Sequence, residues 1–475
     1  MSVQSVLLSI MSSLKANSSD YCDIETTDGK YTIVFKDGTM MSLIQYHGML
    51  STVSKATFEN MIYHVSDEIN NLMKNSGYRF ACLFRKDLDA FSSLAKIENV
   101  QKETVDTIEL ALHDVIEEKI DLYRKSVYDE EVFFALFTDT KVLDAVEIDE
   151  LKSEVKGIRP ALRDAQNIFS TIKVLRSKHT AFVEKFINAF KGEDFYTSLE
   201  LINVLQALGT IRHQVQPDSS PKTWIPAIAA GSKMAKENGV DEYHTPIIFP
   251  SNNNLDDVSY LFPPDLPRQI LSTSIDVLGA KENLPSGTIR VDGRLYTCVS
   301  MDIPPTSPTV FNALFDAFNQ SGFTDNRGNV RSIPYCVMFM ITGDGLAGTL
   351  IKRAFKDIVG RIPPATNANL RAAYNQLSYL KSNGHAIVGI QVSAMTWIND
   401  EGEASREKLK NRKTRLKYIM ESWGGMTTID NVGDPILAWR SNIIGLTTKH
   451  VGTKGAVAVP NALEMLPLTR PASPF

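Results

Sequence analysis

The sequence has few cysteines and no long hydrophobic run, and both shortages exclude whole classes of protein. Four of the 475 residues are cysteines, at positions 22, 82, 298 and 336, and none forms a CxxC pair. This excludes a disulfide framework and a cysteine-based zinc site, so we expect reduced, buried thiols. No apolar run approaches the ~20 residues that cross a bilayer. Lys15 is the first basic residue and no cleavage motif is evident, which argues against a signal peptide and predicts a cytoplasmic protein.

The short motifs of catalytic chemistry are missing as well. The eight histidines show neither i,i+4 pairing nor the HExxH spacing of zinc hydrolases. There is no GxSxG elbow, and no cysteine stands in a catalytic signature. The formal net charge of −5 gives the chain no general attraction to nucleic acid or anionic lipid. The sequence therefore predicts no catalytic residue, no cofactor-binding residue and no metal ligand.

A glycine-dense segment, MFMITGDGLAGTLIKR at 338–353, is the part of the chain most similar to a nucleotide-binding loop. An apolar run leads into a tight turn and then an amphipathic helix, and Gly343 and Gly348 have the P-loop glycine spacing. A P-loop also needs a lysine for the phosphates and a hydroxyl for Mg²⁺. Those positions hold Thr349 and Leu350, so the Walker A Lys and Ser/Thr are lacking. We expect a structural turn and no nucleotide hydrolysis here.

The order β-hairpin, helix, strand is predicted twice. In the first half, an Asp-Gly turn at 37–38 separates strand-like segments, a helix covers 54–76, and YRFACLF at 78–84 is a buried strand. In the second half, the Asp-Gly turn is at 292–293, and a helix ending near residue 320 leads to the strand IPYCVMFMIT at 333–342. This loose repeat favours an α+β fold with two related α+β domains.

Composition and periodicity divide the chain into five parts. We predict an N-terminal α+β domain over 1–140, a helical subdomain over 141–216, a proline-rich connector over 217–285, a second α+β domain over 286–459 and a linker over 460–475. Nine of the 21 prolines lie in the connector, and such segments separate domains or cross other surfaces. Helical spacing is also found over 3–14, 101–128, 346–359, 366–382 and 403–422, and strand patterns over 131–137 and 385–398.

The strongest charge cluster is SREKLKNRKTRLK at 405–417, where seven Lys and Arg residues stand against one glutamate. A nucleic-acid or membrane contact is one interpretation, but no aromatic residues interleave with these cations. Leu409, Leu416 and Ile419 mark a buried helix face. We favour a solvated face or a contact with an acidic protein neighbour.

Several segments carry a resemblance to a known family. The chain opens its first domain near VFKDGTMMSLIQYHG, has a helical middle, and continues through HAIVGIQVSAMTWI and YIMESWGG. It ends in GAVAVPNALEMLPLTRPASPF, whose Pro-Asn-Ala-Leu and Leu-Pro steps over 459–467 are the most specific part. In this order of elements it resembles the N-terminal half of the conjugative-transfer ATPases of type IV secretion systems, most closely the DotO/IcmB branch of the Dot/Icm (type IVB) systems.

The resemblance implies an assembly role. In that family the Walker motifs lie in a RecA-like motor domain of hexameric assemblies, so ATP and Mg²⁺ are expected only in a motor absent from this chain. The chain is then non-catalytic, self-associates as a dimer or hexamer, and contacts inner-membrane secretion components and a second cytoplasmic secretion ATPase during protein export. No site residue is carried over. Two other functions stay open: a nucleic-acid-binding module of a conjugation machine, and a small-molecule enzyme with an unrecognised site.

Overall fold

The structure is a computed structural model, and it describes residues 18–51, 53–87, 91–124, 127–149, 173–192, 195–228, 233–239, 264–305, 309–320, 323–324, 330–343, 379, 384–430 and 433–472. Over these ranges the chain is an α+β protein, which confirms the predicted class: helices cover both faces of one large antiparallel sheet. Three predicted helices lie outside the described residues: those over 3–14, 346–359 and 366–382. Residue 379 is the single described position within them.

The first half of the chain forms the elements from β1 to α5. Its strands are β1 (Ile24–Asp28), β2 (Thr32–Phe35), β3 (Met40–Met49), β4 (Tyr78–Asp87), β5 (Asp129–Thr138) and β6 (Thr197–Leu201). Its helices are α1 (Lys55–Asn70), α2 (Phe91–Thr107), α3 (His113–Arg124), α4 (Lys173–Ala189) and α5 (Val204–Val215). Helix α1 begins after Ser54, whose hydroxyl accepts a hydrogen bond from the Thr57 N–H at 3.1 Å. Such a cap stabilises a helix by about 1 kcal/mol.

The connector and the second half form the remaining elements. The helices are α6 (Lys233–Asn238), α7 (Leu266–Ile270), α8 (Phe311–Gln320), α9 (Glu403–Ser422), α10 (Pro435–Arg440) and α11 (Val459–Glu464). The strands are β7 (Ile275–Leu278), β8 (Thr288–Val291), β9 (Arg294–Ile303), β10 (Phe323–Thr324), β11 (Val330–Arg331), β12 (Tyr335–Thr342), β13 (Ile387–Asn399), β14 (Thr427–Ile429) and β15 (Gly455–Ala458). Strands β10 and β11 pair with each other in a separate two-stranded sheet.

The strand order of the large sheet reads the same from either edge. It is β1-β2-β3-β5-β4-β12-β13-β9-β8-β7, so β1, β2, β3, β5 and β4 correspond to β7, β8, β9, β13 and β12. The additional strands β6 and β14 pair with the corresponding strands β3 and β9. Helices correspond too: α1 and α8 precede the central strands, α4 and α9 follow β5 and β13, and α5 and α10 follow β6 and β14. The chain thus contains two topological repeats.

The two repeats meet at the pair formed by β4 and β12. The strands are antiparallel, with Arg79 opposite Thr342 at one end and Lys86 opposite Tyr335 at the other. Both regions predicted as α+β domains therefore contribute strands to one continuous sheet.

The sheet separates two hydrophobic cores. Along β4, Phe80, Cys82 and Phe84 belong to one core and Ala81 and Leu83 to the other, because successive side chains of a strand point to opposite faces. Helices α1, α4, α8, α9 and α11 cover the first core, and α5, α6, α7 and α10 cover the second. Among the described residues, no helix has both the length and the apolar character to cross a bilayer.

Several predicted elements are confirmed, and two regions near the strand β3 differ. Strands β4, β5, β12 and β13 and helix α9 lie where the patterns placed them. The segment 141–216, predicted to be helical, also contains β6, and its helices α4 and α5 cover opposite cores. The segment 460–475, predicted to be a linker, forms most of α11 and then packs against β3 over its described part. Strand β6 and the position of Pro471 both depend on pairing with β3, which lies more than 140 residues earlier in the chain, so local periodicity gives no signal for them.

Candidate interaction site

The glycine-dense turn is described only as far as Gly343. The Gly343 N–H donates to the Tyr78 carbonyl at 2.9 Å. A Cβ at Gly343 would lie 2.1 Å from the carbonyl oxygen of Asn75, so only glycine fits this close approach of two backbones. Close backbone packing thus explains the glycine at position 343. Gly348, Thr349 and Leu350 lie outside the described residues.

Most cations of the basic helix α9 bind groups of their own chain. Arg406 donates to the Glu282 carbonyl at 3.1 Å and Lys410 to the Asn283 side chain at 2.6 Å. Further partners include Asp430 for Lys413 and Lys417, and the Trp397 carbonyl for Arg412. Although partial burial opposes it, the attraction of Lys413 and Lys417 lowers the pKa of Asp430. This side of α9 is an internal contact.

Lys408 and Arg415 differ from the other cations of α9. Neither forms an ion pair with any described residue. They stand two helical turns apart on one side of α9, together with Asn411 and with Tyr418, which is 73% exposed. We call Lys408, Asn411, Arg415 and Tyr418 the basic stripe.

Helices α2 and α3 form a hairpin between β4 and β5, here called the helical arm (residues 91–124). Val105, Ile116 and Ile120 are its buried core, which is separate from the two cores of the sheet. Lys102 joins the two helices through Glu98 on its own helix and Glu117 on α3, both at 2.9 Å. The apolar side chains that the arm buries are thus used to hold its two helices together.

The end of the arm, residues 106–115, is exposed throughout, and we call it the arm tip. It carries four large apolar side chains with these exposed fractions: Ile108 56%, Leu110 49%, Leu112 42% and Val115 54%. Its acidic residues are Asp106, Glu109 and Asp114, and the sequence has no Lys or Arg between 103 and 118. Exposed apolar residues clustered within one acidic segment are typical of a protein–protein contact.

The arm tip also has an unusual backbone. Glu109 has φ = +55°, a left-handed conformation that normally ends a helix at glycine. The Leu110 N–H donates to the Val105 carbonyl at 3.1 Å, and His113 bonds the Asp106 carboxylate at 2.7 Å across the turn. A non-glycine residue in this conformation costs about 1–2 kcal/mol.

Sequence reasoning missed the arm tip. The helical pattern over 101–128 predicts one helix with Ile108, Leu112 and Val115 on the same side as Val105 and Ile116. The structure ends one helix at Thr107 and begins the next at His113, and it buries only Val105 and Ile116 of that set. The intervening Ile-Glu-Leu-Ala-Leu contains neither glycine nor proline, so no local signal marks the turn.

The end of the described chain, residues 459–472, joins the two repeats and is here called the C-terminal strap. Leu463, Leu466 and Leu468 are buried in the first core. The Met49 N–H donates to the Arg470 carbonyl at 2.7 Å, and the Ala472 N–H donates to the Met49 carbonyl at 2.8 Å. The strap thereby runs from α11 in the second repeat to β3 in the first.

Gly48 makes this contact sterically feasible. Its φ is +121°, and a Cβ there would lie 2.6 Å from both the Ala472 nitrogen and the Arg470 carbonyl oxygen. Any other residue at position 48 would have to move the strap or the strand.

A buried network of ion pairs lies at the end of β4. Arg85 binds Asp87 at 2.9 Å, and Lys222 of the connector binds Asp129 at 2.6 Å and Glu131 at 2.8 Å. Burial and the neighbouring Glu131 raise the pKa of Asp129. Burial also acts to raise the pKa of Glu131, but the combined attraction of Lys222 and Arg85 outweighs it, so the pKa of Glu131 is lowered.

The same network reaches the second repeat. Arg294 binds Asp218 of the connector at 2.6 Å and approaches Asp87 of the first repeat at 3.9 Å. Each described acid of the network has a basic partner. The network therefore links the first repeat, the second repeat and the connector through ion pairs.

The cysteines are free thiols, as the sequence predicts: Cys22, Cys82 and Cys336 are buried and Cys298 is half-buried. Within the described ranges, no three or more His, Cys, Asp or Glu side chains are grouped so as to hold a metal ion.

No protein-family model matches this chain, and no curated protein sequence matches it significantly. The resemblance to type IV secretion ATPases accordingly rests on the segments quoted from the sequence.

Proposed function

We propose that this chain is the assembly and docking region of a type IV secretion ATPase that energises protein export at the inner membrane. It is non-catalytic by itself, associates with further copies, and contacts inner-membrane secretion components and a second cytoplasmic secretion ATPase. The observation that carries the proposal is the helical arm, whose exposed apolar and acidic tip offers a contact surface on a framework joined by one sheet.

The C-terminal strap supports the same proposal. In the family that the chain resembles, a RecA-like motor follows the corresponding segment. A motor attached through the strap would be anchored to both repeats, because the strap leaves the second repeat and hydrogen-bonds β3 of the first. Movement of the motor would then act on the whole framework instead of on one flexible linker.

The two repeats, interpreted as two related α+β domains, share one sheet, and this rigid connection fits an assembly role. The central β4–β12 pair and the buried ion pairs fix one repeat against the other. A fixed framework suits a protein that has to present several partners in a constant arrangement.

The test is protein export in the source cells. Removing the gene should abolish export of a reporter substrate, and the wild-type chain should restore it and fractionate with the inner membrane only while the other secretion components are present. A chain carrying both Ile108→Asp and Leu112→Asp should restore little export. A chain with Val146→Asp, whose valine is 69% exposed outside the arm, is the matched control. Export that continues without the gene would contradict the proposal.

A further inference from the structure

The occupant of the arm tip must satisfy two chemical requirements. The four exposed apolar side chains leave water only against an apolar or aromatic surface, and their burial there favours binding. Asp106, Glu109 and Asp114 need cations at the rim, because the tip holds no Lys or Arg of its own. The occupant is therefore a basic surface with an exposed hydrophobic or aromatic residue.

The basic stripe of α9 has this chemistry. Lys408 and Arg415 have no ion pair among the described residues, whereas the other cations of α9 bind groups of their own chain. Tyr418 adds the most exposed tyrosine of the described residues, at 73%. Arginine and tyrosine are also the residue types enriched at protein interfaces.

Neither surface covers the other within one chain. The residues of the tip are exposed, and those of the stripe are exposed or half-buried with their cations unpaired. Each copy therefore offers one acidic, apolar tip and one basic, aromatic stripe. We infer that the arm tip of one copy docks on the basic stripe of a second copy. This rests on the self-association that is part of the proposed function and specifies its contact.

The contact joins two different surfaces, so it is heterologous. Every copy in such an assembly uses both surfaces, and the assembly closes into a ring or continues as a filament. The strained turn at Glu109 fits this use, because it exposes Ile108 and Leu110 at the end of the arm instead of continuing α2.

The first test reverses charges in the full chain. One variant carries Glu109→Lys and Asp114→Lys, and the other carries Lys408→Glu and Arg415→Glu; self-association is measured by sedimentation velocity. Each variant alone should raise the dissociation constant about tenfold or more, since like charges then face each other. A chain with Asp67→Lys and Glu184→Lys, which makes the same charge change at exposed sites on α1 and α4, should associate like the wild type.

An equimolar mixture of the two variants should recover association. The basic tip of the first variant then faces the acidic stripe of the second. The acidic wild-type tip of the second variant faces the basic wild-type stripe of the first, so the two variants alternate in the assembly. Only folded copies can show this recovery, which separates loss of contact from loss of fold. A mixture that stays dissociated overturns the inference.

A second test uses the scarcity of accessible thiols. One chain carries Leu112→Cys and another carries Tyr418→Cys, and the two are mixed under mild oxidation. A cross-linked heterodimer is expected for this pair, and none when Val146→Cys replaces the tip variant. Cross-linking that does not discriminate between positions 112 and 146 overturns the inference.

Three further outcomes also overturn it: a wild-type chain that is monomeric at every concentration, an assembly unaffected by either charge reversal, and a tip that binds a different basic protein. In each of these cases the export experiment still decides the proposed function separately.

Discussion

Helices α4 and α9 occupy the same place in the two repeats and have opposite characters. Each follows the strand next to the central pair and precedes the strand that extends β3 or β9. In α4, Phe182 and Phe186 are fully buried and belong to an aromatic cluster of the first core. In α9, burial of large apolar residues is confined to Leu409, Leu416 and the end of the helix. The repeated topology therefore determines where the covering helix lies. The amino-acid composition of that helix can differ between the repeats, so its exposed face can carry different side chains.

The largest expected effect contrasts these two helices directly. Phe186→Ala should lower the free energy of unfolding by about 3–5 kcal/mol, because the ring packs 5.4 Å from both Phe80 and Phe134 and its loss leaves a cavity. Arg415→Ala in α9 should change it by no more than about 0.5 kcal/mol. Urea unfolding of both variants measures the contrast, and equal losses would refute the comparison.

The next effect concerns how the repeats are held together. Gly48→Ala should lower the free energy of unfolding by about 1–3 kcal/mol, because the new methyl group collides with the backbone of the C-terminal strap. Limited proteolysis should then cut near Arg470 sooner than in the wild type.

Gly38→Ala is the matched control for that experiment. Gly38 also has a positive φ of +81°, but a Cβ there meets nothing within 4 Å. This variant should show only the backbone penalty of about 1 kcal/mol and unchanged cleavage near Arg470. Indistinguishable proteolysis of the two variants would contradict a role for Gly48 in seating the strap.

A further effect is specific to α4 and depends on pH. His179 is buried between the hydroxyls of Ser42 and Thr138, each at 2.9 Å, and burial lowers its pKa from 6.5 to about 3. The unfolded chain therefore takes up this proton below pH 6.5 while the folded chain does not. The stability that His179 contributes is complete above pH 6.5 and decreases toward pH 3, by up to about 1.4 kcal/mol per pH unit.

Urea unfolding between pH 7 and pH 4.5 tests this, with His179→Gln as the comparison. The glutamine variant should be less stable at pH 7 and should show a flatter decline in stability as the pH falls. Parallel pH profiles for the two chains would show that His179 is not the buried neutral group described.

The smallest effect concerns the helical arm. Glu109→Gly should raise the stability of the arm by about 0.5–1 kcal/mol, because glycine adopts the positive φ without a Cβ clash. Hydrogen exchange of the amides of α2 and α3 reports the arm separately from the sheet. Faster exchange in the glycine variant would mean that the turn at Glu109 is not strained.

The elements that could be predicted from the sequence are those with a local signal. Strand β13 follows from a long apolar run and α9 from periodic leucines, and the hairpin turns follow from Asp-Gly at 37–38 and 292–293. The pairing of β4 with β12 could not be predicted, because it joins segments some 250 residues apart and nothing in either strand selects its partner. The order of strands from edge to edge depends on that pairing.

The candidate site was less accessible to sequence reasoning than the fold. The basic cluster at 405–417 was visible, but which of its cations stay unpaired depends on Asp430, Asn283 and the Glu282 carbonyl, which come from other segments. The arm tip was hidden because Ile108 and Leu112 continue a helical period that the backbone interrupts. The prolines at the end of the chain predict a linker, and the contact of Gly48 with residues 470–472 depends on a distant segment that this composition does not reveal.

The central pair of strands also has a consequence for how the chain is made. Until Tyr335–Thr342 leaves the ribosome, β4 has no neighbour on one side, and its backbone donors and acceptors there are open to other strands. At synthesis rates of about 5–20 residues per second, this interval lasts roughly tens of seconds. During synthesis the sheet of the first repeat therefore has an unpaired edge at β4. A chaperone that covers this edge during the interval would raise the yield of folded protein.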